Sequence, residues 1–262
     1  MKDILSEIIA NKKIEVSLQK EQLPLAKLEE QLQNKTINAY SLKDALLNSK
    51  SGIIAEFKRK SPSKGWLHEH ANVETVTKEY ENAGASALSV LTDKKYFGGT
   101  LTDLAHAVQN VQTPVMRKEF IVDEYQIYHA KLIGASAILL IAAAITKEES
   151  LRFTKLADQL QLDVLLELHD ESETDYITPL NTLIGVNNRN LGSFVTDINK
   201  SFRMTQLLPK EAIWVSESGI SDANLVRELR DAGYKGFLIG EYFMKSGNPE
   251  ENLRRFIQQI VS

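Results

Sequence analysis

The feature that most constrains this chain is an alternation, repeated eight times, of short apolar runs with amphipathic stretches. The runs are Gly52–Phe57, Ala87–Leu91, Pro114–Lys118, Ala137–Ile141, Asp163–Leu168, Leu183–Asn187, Ile213–Ser216 and Phe237–Gly240. Near-continuous apolar runs without a polar face suit parallel strands covered on both sides. Between them, Val73–Ala83, Leu101–Asn110, Glu124–Ile133, Lys147–Leu160, Ser221–Arg230 and Pro249–Ile260 carry apolar residues at three- and four-residue spacing, the period of a helix with one buried face. Thr100, Asp123, Thr146, Ser221 and Asn248 stand where N-caps belong, and Pro249 suits a first helical position.

A weak internal repeat agrees. Ala83-Gly84-Ala85-Ser86-Ala87, Ile133-Gly134-Ala135-Ser136-Ala137 and Ala232-Gly233-Tyr234-Lys235-Gly236 each place a helix-ending glycine just before a strand. Repeated strand–helix units imply a parallel sheet, and eight of them favour a closed barrel over an open sheet. No Gly-x-Gly-x-x-Gly follows the first strand, which removes the main cue for a dinucleotide fold. The length of 262 residues matches the roughly 250 typical of a (β/α)8 barrel. The expected fold is therefore an α/β (β/α)8 TIM barrel with an N-terminal helical extension. Residues 1–50 form the extension and 51–262 the barrel, as one domain overall. In the extension, Ile4, Leu5, Ile8 and Ile9 make an apolar stripe on one helix and Ser41–Asn48 reads as a second. Such a segment plugs the barrel's bottom, packs on its side, or lies over its mouth as a lid.

Composition excludes several functions. The chain has no cysteine, so it has no disulfide framework, thiolate nucleophile or thiolate metal site. Net charge is −4 with the two signs interspersed, which does not suit a nucleic-acid backbone. No apolar run approaches the ~20 residues needed to cross a bilayer, and Asp3, Glu7 and Lys12 interrupt any signal-peptide core. The expectation is a cytoplasmic protein, a monomer, acting on a small molecule.

Catalytic groups of such barrels come from the carboxyl ends of the strands and the loops that follow. Burying an ionisable group costs several kcal/mol unless it is paired or used. Five strand ends carry such groups: Glu56 and Lys58, two apart and so on one face; Lys118; Glu167 and His169; Asn187 and Arg189; Glu217 and Ser218. Structural alternatives exist for each. Glu56 could pair with Lys58, Lys118 could snorkel to the surface, and Glu167 could satisfy His169 or Arg189. Asn187 could bond a neighbouring backbone, and Glu217 could pair with Lys58. Arg117 and Glu119 alternate with Lys118 and are expected to face the helices in a structural role. His169 shares no metal-ligand spacing with the other histidines, so no metal is expected.

Loops after strands 7 and 8 form the common phosphate site of this fold. Ser218-Gly219-Ile220-Ser221 and Gly240-Glu241 occupy those positions. Ser61-Pro62-Ser63-Lys64-Gly65-Trp66-Leu67 is long for a strand–helix connection and reads as a mobile loop covering substrate. Phe97 and Phe120, at strand ends, could line an aromatic pocket.

At these residues the chain resembles the indole-3-glycerol phosphate synthase family. The resemblance rests on Ile54-Ala55-Glu56-Phe57-Lys58-Arg59-Lys60-Ser61-Pro62-Ser63-Lys64-Gly65, on Ser89-Val90-Leu91-Thr92-Asp93 with Tyr96-Phe97-Gly98-Gly99, and on Arg117-Lys118-Glu119-Phe120 with Asp123–Ile127. Leu166–Asp170, Gly185–Leu191 and Ser216–Ile220 follow in the same order. Two departures stand out: Glu119 replaces the family's usual Asp, and Glu241-Tyr242-Phe243-Met244 stands where the family usually has a Ser-Leu-Met run.

The resemblance implies a phosphorylated anthranilate-sugar substrate, 1-(2-carboxyphenylamino)-1-deoxyribulose 5-phosphate, closed to an indole with loss of carbon dioxide and water, without cofactor or metal. It implies catalytic roles for Glu56, Lys58, Lys118, Glu167, Asn187, Glu217 and Ser218, with Lys118 as proton donor to the carbonyl. It implies substrate contacts from Ser61, Phe97, Phe120, Leu139, Arg189, Gly219, Gly240 and Glu241, with the aromatic and aliphatic members on the anthranilate ring. Two other readings are a phosphosugar isomerase or aldolase barrel using Lys118 as a Schiff base, and an inactive barrel that binds a phosphate ligand.

Overall fold

The computed structural model describes residues 4–34, 40–245 and 247–261. Eight parallel strands close into a barrel: β1 (Ile53–Phe57), β2 (Ala87–Leu91), β3 (Val115–Lys118), β4 (Ala137–Ile141), β5 (Asp163–Leu168), β6 (Leu183–Asn187), β7 (Ile213–Glu217) and β8 (Gly236–Ile239). Each strand pairs with its neighbours in sequence, and β1 closes the ring on β8. Apart from the barrel, Lys60–Ser61 and Gly65–Trp66 pair antiparallel as a small hairpin in the loop after β1.

Strand side chains alternate between two apolar clusters, as a period of two demands. Ile53, Ala55, Phe57, Leu166, Val186 and Phe237 belong to the outer cluster with the helices. Ile54, Met116, Leu139, Leu165, Leu183, Ile213 and Val215 belong to the inner one. The barrel is thus filled by side chains rather than open as a pore.

The N-terminal segment comprises α1 (Ile4–Gln22), α2 (Leu25–Gln33) and α3 (Leu42–Leu47). It serves both ends of the barrel. Ile4, Leu5 and Ile8 of α1 line the cavity at the carboxyl ends of the strands. Leu42 and Leu46 of α3 join the interior cluster from the opposite end, where Ser41 Oγ donates to Asp163 at the start of β5. The segment thus meets the cavity with α1, packs against Tyr125 on the side with α2 and seals the opposite end with α3.

Around the barrel lie α4 (Val73–Ala83), α5 (Lys94–Phe97), α6 (Leu101–Asn110), α7 (Glu124–Ile133), α8 (Lys147–Gln159), α9 (Asn199–Met204), α10 (Ala223–Asp231), α11 (Glu241–Met244) and α12 (Pro249–Val261). Thr100, Asp123 and Thr146 form capping boxes with Asp103, Gln126 and Glu149. Asn248 accepts from the Glu251 amide. The expected cap at Ser221 lies one residue further on: Asp222 accepts from Asn224 N, and Ser221 lines the cavity instead. Between β5 and β6 the chain forms only the 3-10 segment Glu171–Tyr176, and α9 is a short helix that no amphipathic pattern announced.

Gly52 shows how tightly the barrel's lower rim closes. Its φ is +68°, and a Cβ there would sit 2.1 Å from the Lys235 carbonyl oxygen. Gly52→Ala is expected to cost about 2 kcal/mol or more in urea unfolding, from left-handed strain and a backbone clash together. An unchanged midpoint and slope would contradict this close approach.

Candidate active site

The period that packs the barrel also loads its rim. Along β1 the inward positions run Ile54, Glu56, Lys58. Along β3 they run Met116, Lys118, and along β5 Leu165, Glu167, His169. Along β6 they run Leu183, Gly185, Asn187, and along β7 Ile213, Val215, Glu217. The lower layers are apolar and the top layer carries charge. A cavity of about 680 Å³ opens above it, within the range of small-molecule sites.

Of the sequence-predicted site residues, Glu56, Lys58, Ser61, Phe97, Lys118, Phe120, Leu139, Glu167, Asn187, Arg189, Ser218, Gly219, Gly240 and Glu241 all line this cavity. Glu217 lies just beneath, buried, and reaches Lys118. Residues drawn from seven strand ends therefore converge on one volume.

Two acid–base groupings face each other there. In the first, Lys58 Nζ donates to Glu56 Oε1 at 2.6 Å. In the second, Lys118 Nζ lies 2.5 Å from Glu217 Oε2 and 3.2 Å from Glu167 Oε2. The His169 ring approaches Glu167 from the other side, Nε2 to Oε1 at 3.2 Å. So Glu217 pairs with Lys118, not with Lys58, and Lys118 stays inside rather than snorkelling.

Two glycines make room for these carboxylates. A Cβ at Gly240 would stand 2.5 Å from Glu56 Oε1, and one at Gly185 would stand 2.2 Å from Glu217 Oε1. Gly185 carried no signal as a site residue in the sequence, because its role is only to leave space for a side chain on the next strand.

Burial would lower the Lys118 pKa, but the carboxylates of Glu217, Glu167 and Glu56 override it and hold the ammonium above the ordinary lysine range. Burial would raise Glu167, yet Lys118 and the His169 ring bring it down to about 2. For Glu217, burial wins over the attraction of Lys118, and the neighbouring Glu167 charge adds to it, so its carboxyl is pushed up to about 8. One oxygen of Glu217, Oε1, is buried without a hydrogen-bond partner. Two carboxyls held apart in this way, beside a charged lysine, are suited to opposite roles in proton transfer.

The far end of the cavity is cationic. Glu241 draws together Lys64, Lys245 at 2.7 Å and Arg189 at 3.3 Å. Burial opposes its charge, but Lys245 and Lys64 bring its pKa down to about 2. Ser218 and Gly219, which line the cavity, both take positive φ, +67° and +81°. Lys64 and Lys245 were not singled out in the sequence, since a lysine in a loop or at a helix end reads as surface.

The opposite end is apolar. Phe97 and Phe120 stand 5.9 Å apart, centroid to centroid, with Leu139, Leu5 and Ile8 closing the space. Arg117 faces outward as expected, donating to the Gln126 carbonyl on α7. Glu119 departs from expectation: it lines the cavity and pairs with Lys12 of α1 at 3.1 Å. The reason is that it sits just past the end of β3, where the strand's inward–outward alternation no longer governs direction. Among the described residues, no cluster of three His, Asp or Glu is arranged to hold a metal ion, and no helix is long and apolar enough to cross a membrane.

Comparison with known proteins finds relatives along nearly the whole chain. The profile of the family described as indole-3-glycerol phosphate synthase matches residues 5–256. The chain is 53% identical over 260 residues to the indole-3-glycerol phosphate synthase of Bacteroides thetaiotaomicron, spanning 99% of this chain and all of that protein. It is 42% identical to the one of Aliarcobacter butzleri, spanning 97% of this chain and 98% of that protein. Among solved structures, a chain of the tryptophan synthase complex from Pyrococcus furiosus superposes with a TM-score of 0.58 at 12% identity, covering 80% of this chain and 97% of that one, a likeness of fold alone.

The raised Glu217 pKa has a consequence for stability. A carboxyl whose folded pKa lies above its unfolded value of 4.5 contributes stability that is complete below pH 4.5 and lost as pH rises through about 8. Glu167 acts in the opposite sense, and its contribution is lost only as pH falls from 4.5 through about 2. Between about pH 5 and about pH 8, then, the parent should lose unfolding free energy relative to Glu217→Gln in urea titrations. Parallel pH profiles for the two proteins would rule out the raised carboxyl.

Proposed function

The chain belongs to the indole-3-glycerol phosphate synthase family, and from that premise we propose how its own residues divide the work. The activity is that of a decarboxylating lyase of tryptophan biosynthesis. It closes the ring of 1-(2-carboxyphenylamino)-1-deoxyribulose 5-phosphate to indole-3-glycerol phosphate.

The observation that carries the reading is the separation of the rim into two acid–base groupings, Lys118 with Glu167 and Glu217, and Lys58 with Glu56. The reaction has two steps that need a proton donor. In the first, the aromatic carbon bearing the carboxylate attacks the ribulose C2 carbonyl. Lys118 gives a proton to the oxygen as it becomes an alkoxide, and carbon dioxide leaves to restore the aromatic ring. In the second, the new hydroxyl departs as water and the adjacent carbon loses a proton. Lys58 protonates the leaving hydroxyl, and Glu56 or Glu167 accepts the proton.

The anthranilate ring lies between Phe97 and Phe120 over Leu139, and the phosphate lies at the cationic end, against Ser218, Gly219 and Gly240. Asn187 and Glu217 orient Lys118 and the substrate hydroxyls, and Ser61 and Arg189 close the anion end. Holding the two reacting carbons in one rigid cavity supplies much of the rate, since orientation alone removes several kcal/mol of barrier. Acid–base transfer adds to this.

Indole fluorescence with the carboxyphenylamino sugar phosphate tests the proposal directly. Lys118→Met and Glu167→Gln are each expected to lower kcat by ~10²-fold or more, the scale of a lost acid or base. Activity retained in both would overturn the assignment. Borohydride should trap no covalent adduct on Lys118, whereas a Schiff-base barrel would be labelled there.

A further inference from the structure

The inward face of α1 contains a residue that packing does not explain. Leu5, Ile8, Lys12 and Val16 follow one another at helical spacing, and all four are buried. The third position of an apolar stripe is a lysine, with only 3% of its surface exposed. A buried ion pair is seldom more stabilising than an apolar residue of similar volume, so packing alone would favour Met or Leu at this position.

Lys12 is surrounded by three carboxylates, Glu15 at 2.6 Å, Asp93 at 2.9 Å and Glu119 at 3.1 Å. Burial disfavours its charge, but Glu119 and Asp93 outweigh that and hold it firmly protonated. Two of these partners govern the aromatic end of the cavity. Asp93, two residues past β2, caps the short helix α5 by accepting from Tyr96 N, and α5 carries Phe97. Glu119, between Lys118 and Phe120, accepts from the Phe120 amide through one oxygen and from Thr92 through the other. Arg117 also reaches Glu119, at 3.4 Å, while its Nε donates to Thr92 Oγ1 at 3.2 Å and its Nη1 to the Gln126 carbonyl on α7, so it meets this cluster from the side of the outer helices and Lys12 meets it from α1.

We infer that Lys12 is a positioning residue for the reaction: it ties the loop bearing Phe97 to the loop bearing Phe120 beneath α1, and so sets the width of the ring end of the cavity. This rests on the reading that the anthranilate ring occupies that end. Lys12 touches no reacting atom. It acts through Asp93 and Glu119, and it holds Ile8, one turn away, over the mouth.

The test compares the two ends of one cavity. Anthranilate fills only the ring end and inorganic phosphate only the anion end, so each serves as a competitive inhibitor of the parent, of Lys12→Met and of Lys12→Arg. Lys12→Met should raise both KM and the anthranilate inhibition constant by ~10-fold or more and lower kcat, because small misplacements of positioning groups are costly. Phosphate inhibition should change by less than about twofold, since its groups are untouched. Lys12→Arg, which keeps the charge, should recover most of the anthranilate affinity.

If both inhibition constants worsen together, Lys12 is a general structural support and the inference fails; it fails equally if neither moves. If Lys12→Met does not fold, the double variant Lys12→Met/Asp93→Asn removes the Asp93 charge, whose Oδ2 faces Lys12, while keeping the capping oxygen, and the same comparison is made on it. A parent enzyme that forms no indole would refute the active-site reading itself and take this inference with it. A parent that turns over while its ring end is indifferent to Lys12 would refute only the inference.

Discussion

One buried ammonium organises the rim of this barrel. Lys118 keeps about 13% of its side chain exposed, toward the cavity, with Glu217 and Glu167 within 3.2 Å. A cation in that position costs several kcal/mol unless carboxylates offset its desolvation, and carboxylates there are equally costly without it. Each group is tolerable only because the others are present. This mutual dependence explains the unequal fates of the two acids. The one nearer His169 stays ionised, and the other is pushed toward protonation by burial and by its neighbour's charge. An arrangement that is poor for stability is thereby made suitable for moving protons.

The same dependence explains why so much of the site was legible in the sequence. A parallel strand buried on both faces should be apolar throughout, so a charge at its carboxyl end contradicts the local pattern. Glu56, Lys118, Glu167 and Glu217 each broke that rule at the place where a barrel gathers its functional groups, and the structure brings them together. The eight strands and six main helices followed from periodicity because that periodicity records which face is buried. Where burial direction is set by something else, periodicity misdirected the reading or gave none. Glu119 lies past the strand end, and its partner Lys12 comes from a helix 107 positions earlier in the numbering, so no local pattern could join them. Gly185 matters for the atom it lacks beside Glu217. The short helix α9 buries too little for a stripe to show.

The N-terminal segment illustrates how a choice posed by sequence can be resolved by geometry. An apolar stripe at 4–9 and a second helix at 41–48 looked like one device, a lid or a plug. The structure separates them by the full height of the barrel. Ile4, Leu5 and Ile8 meet the cavity, while Leu42 and Leu46 fill the opposite end. The interior of the barrel has apolar layers that must be sealed below and a reaction volume that must be shielded from water above. The N-terminal helices divide these needs, α1 at the cavity and α3 at the opposite end.

The two departures from the family's usual residues fall where the scaffold can absorb them. The acid–base groups stand on strands, whose directions are fixed by hydrogen bonds on both sides, and a shift of one position would turn them to the outer face. The anion end is built instead from loops, where Ser218 and Gly219 take left-handed conformations and Glu241 begins a four-residue helix. There, side-chain identity is less tightly tied to backbone position. Glu241 can gather Lys64, Arg189 and Lys245 around itself without disturbing Lys118. Glu119 is similarly accommodated because its longer side chain still reaches Lys12, Thr92 and the Phe120 amide together. Variation is tolerated at the loops and at the junction with α1, while the strands hold the chemistry in register.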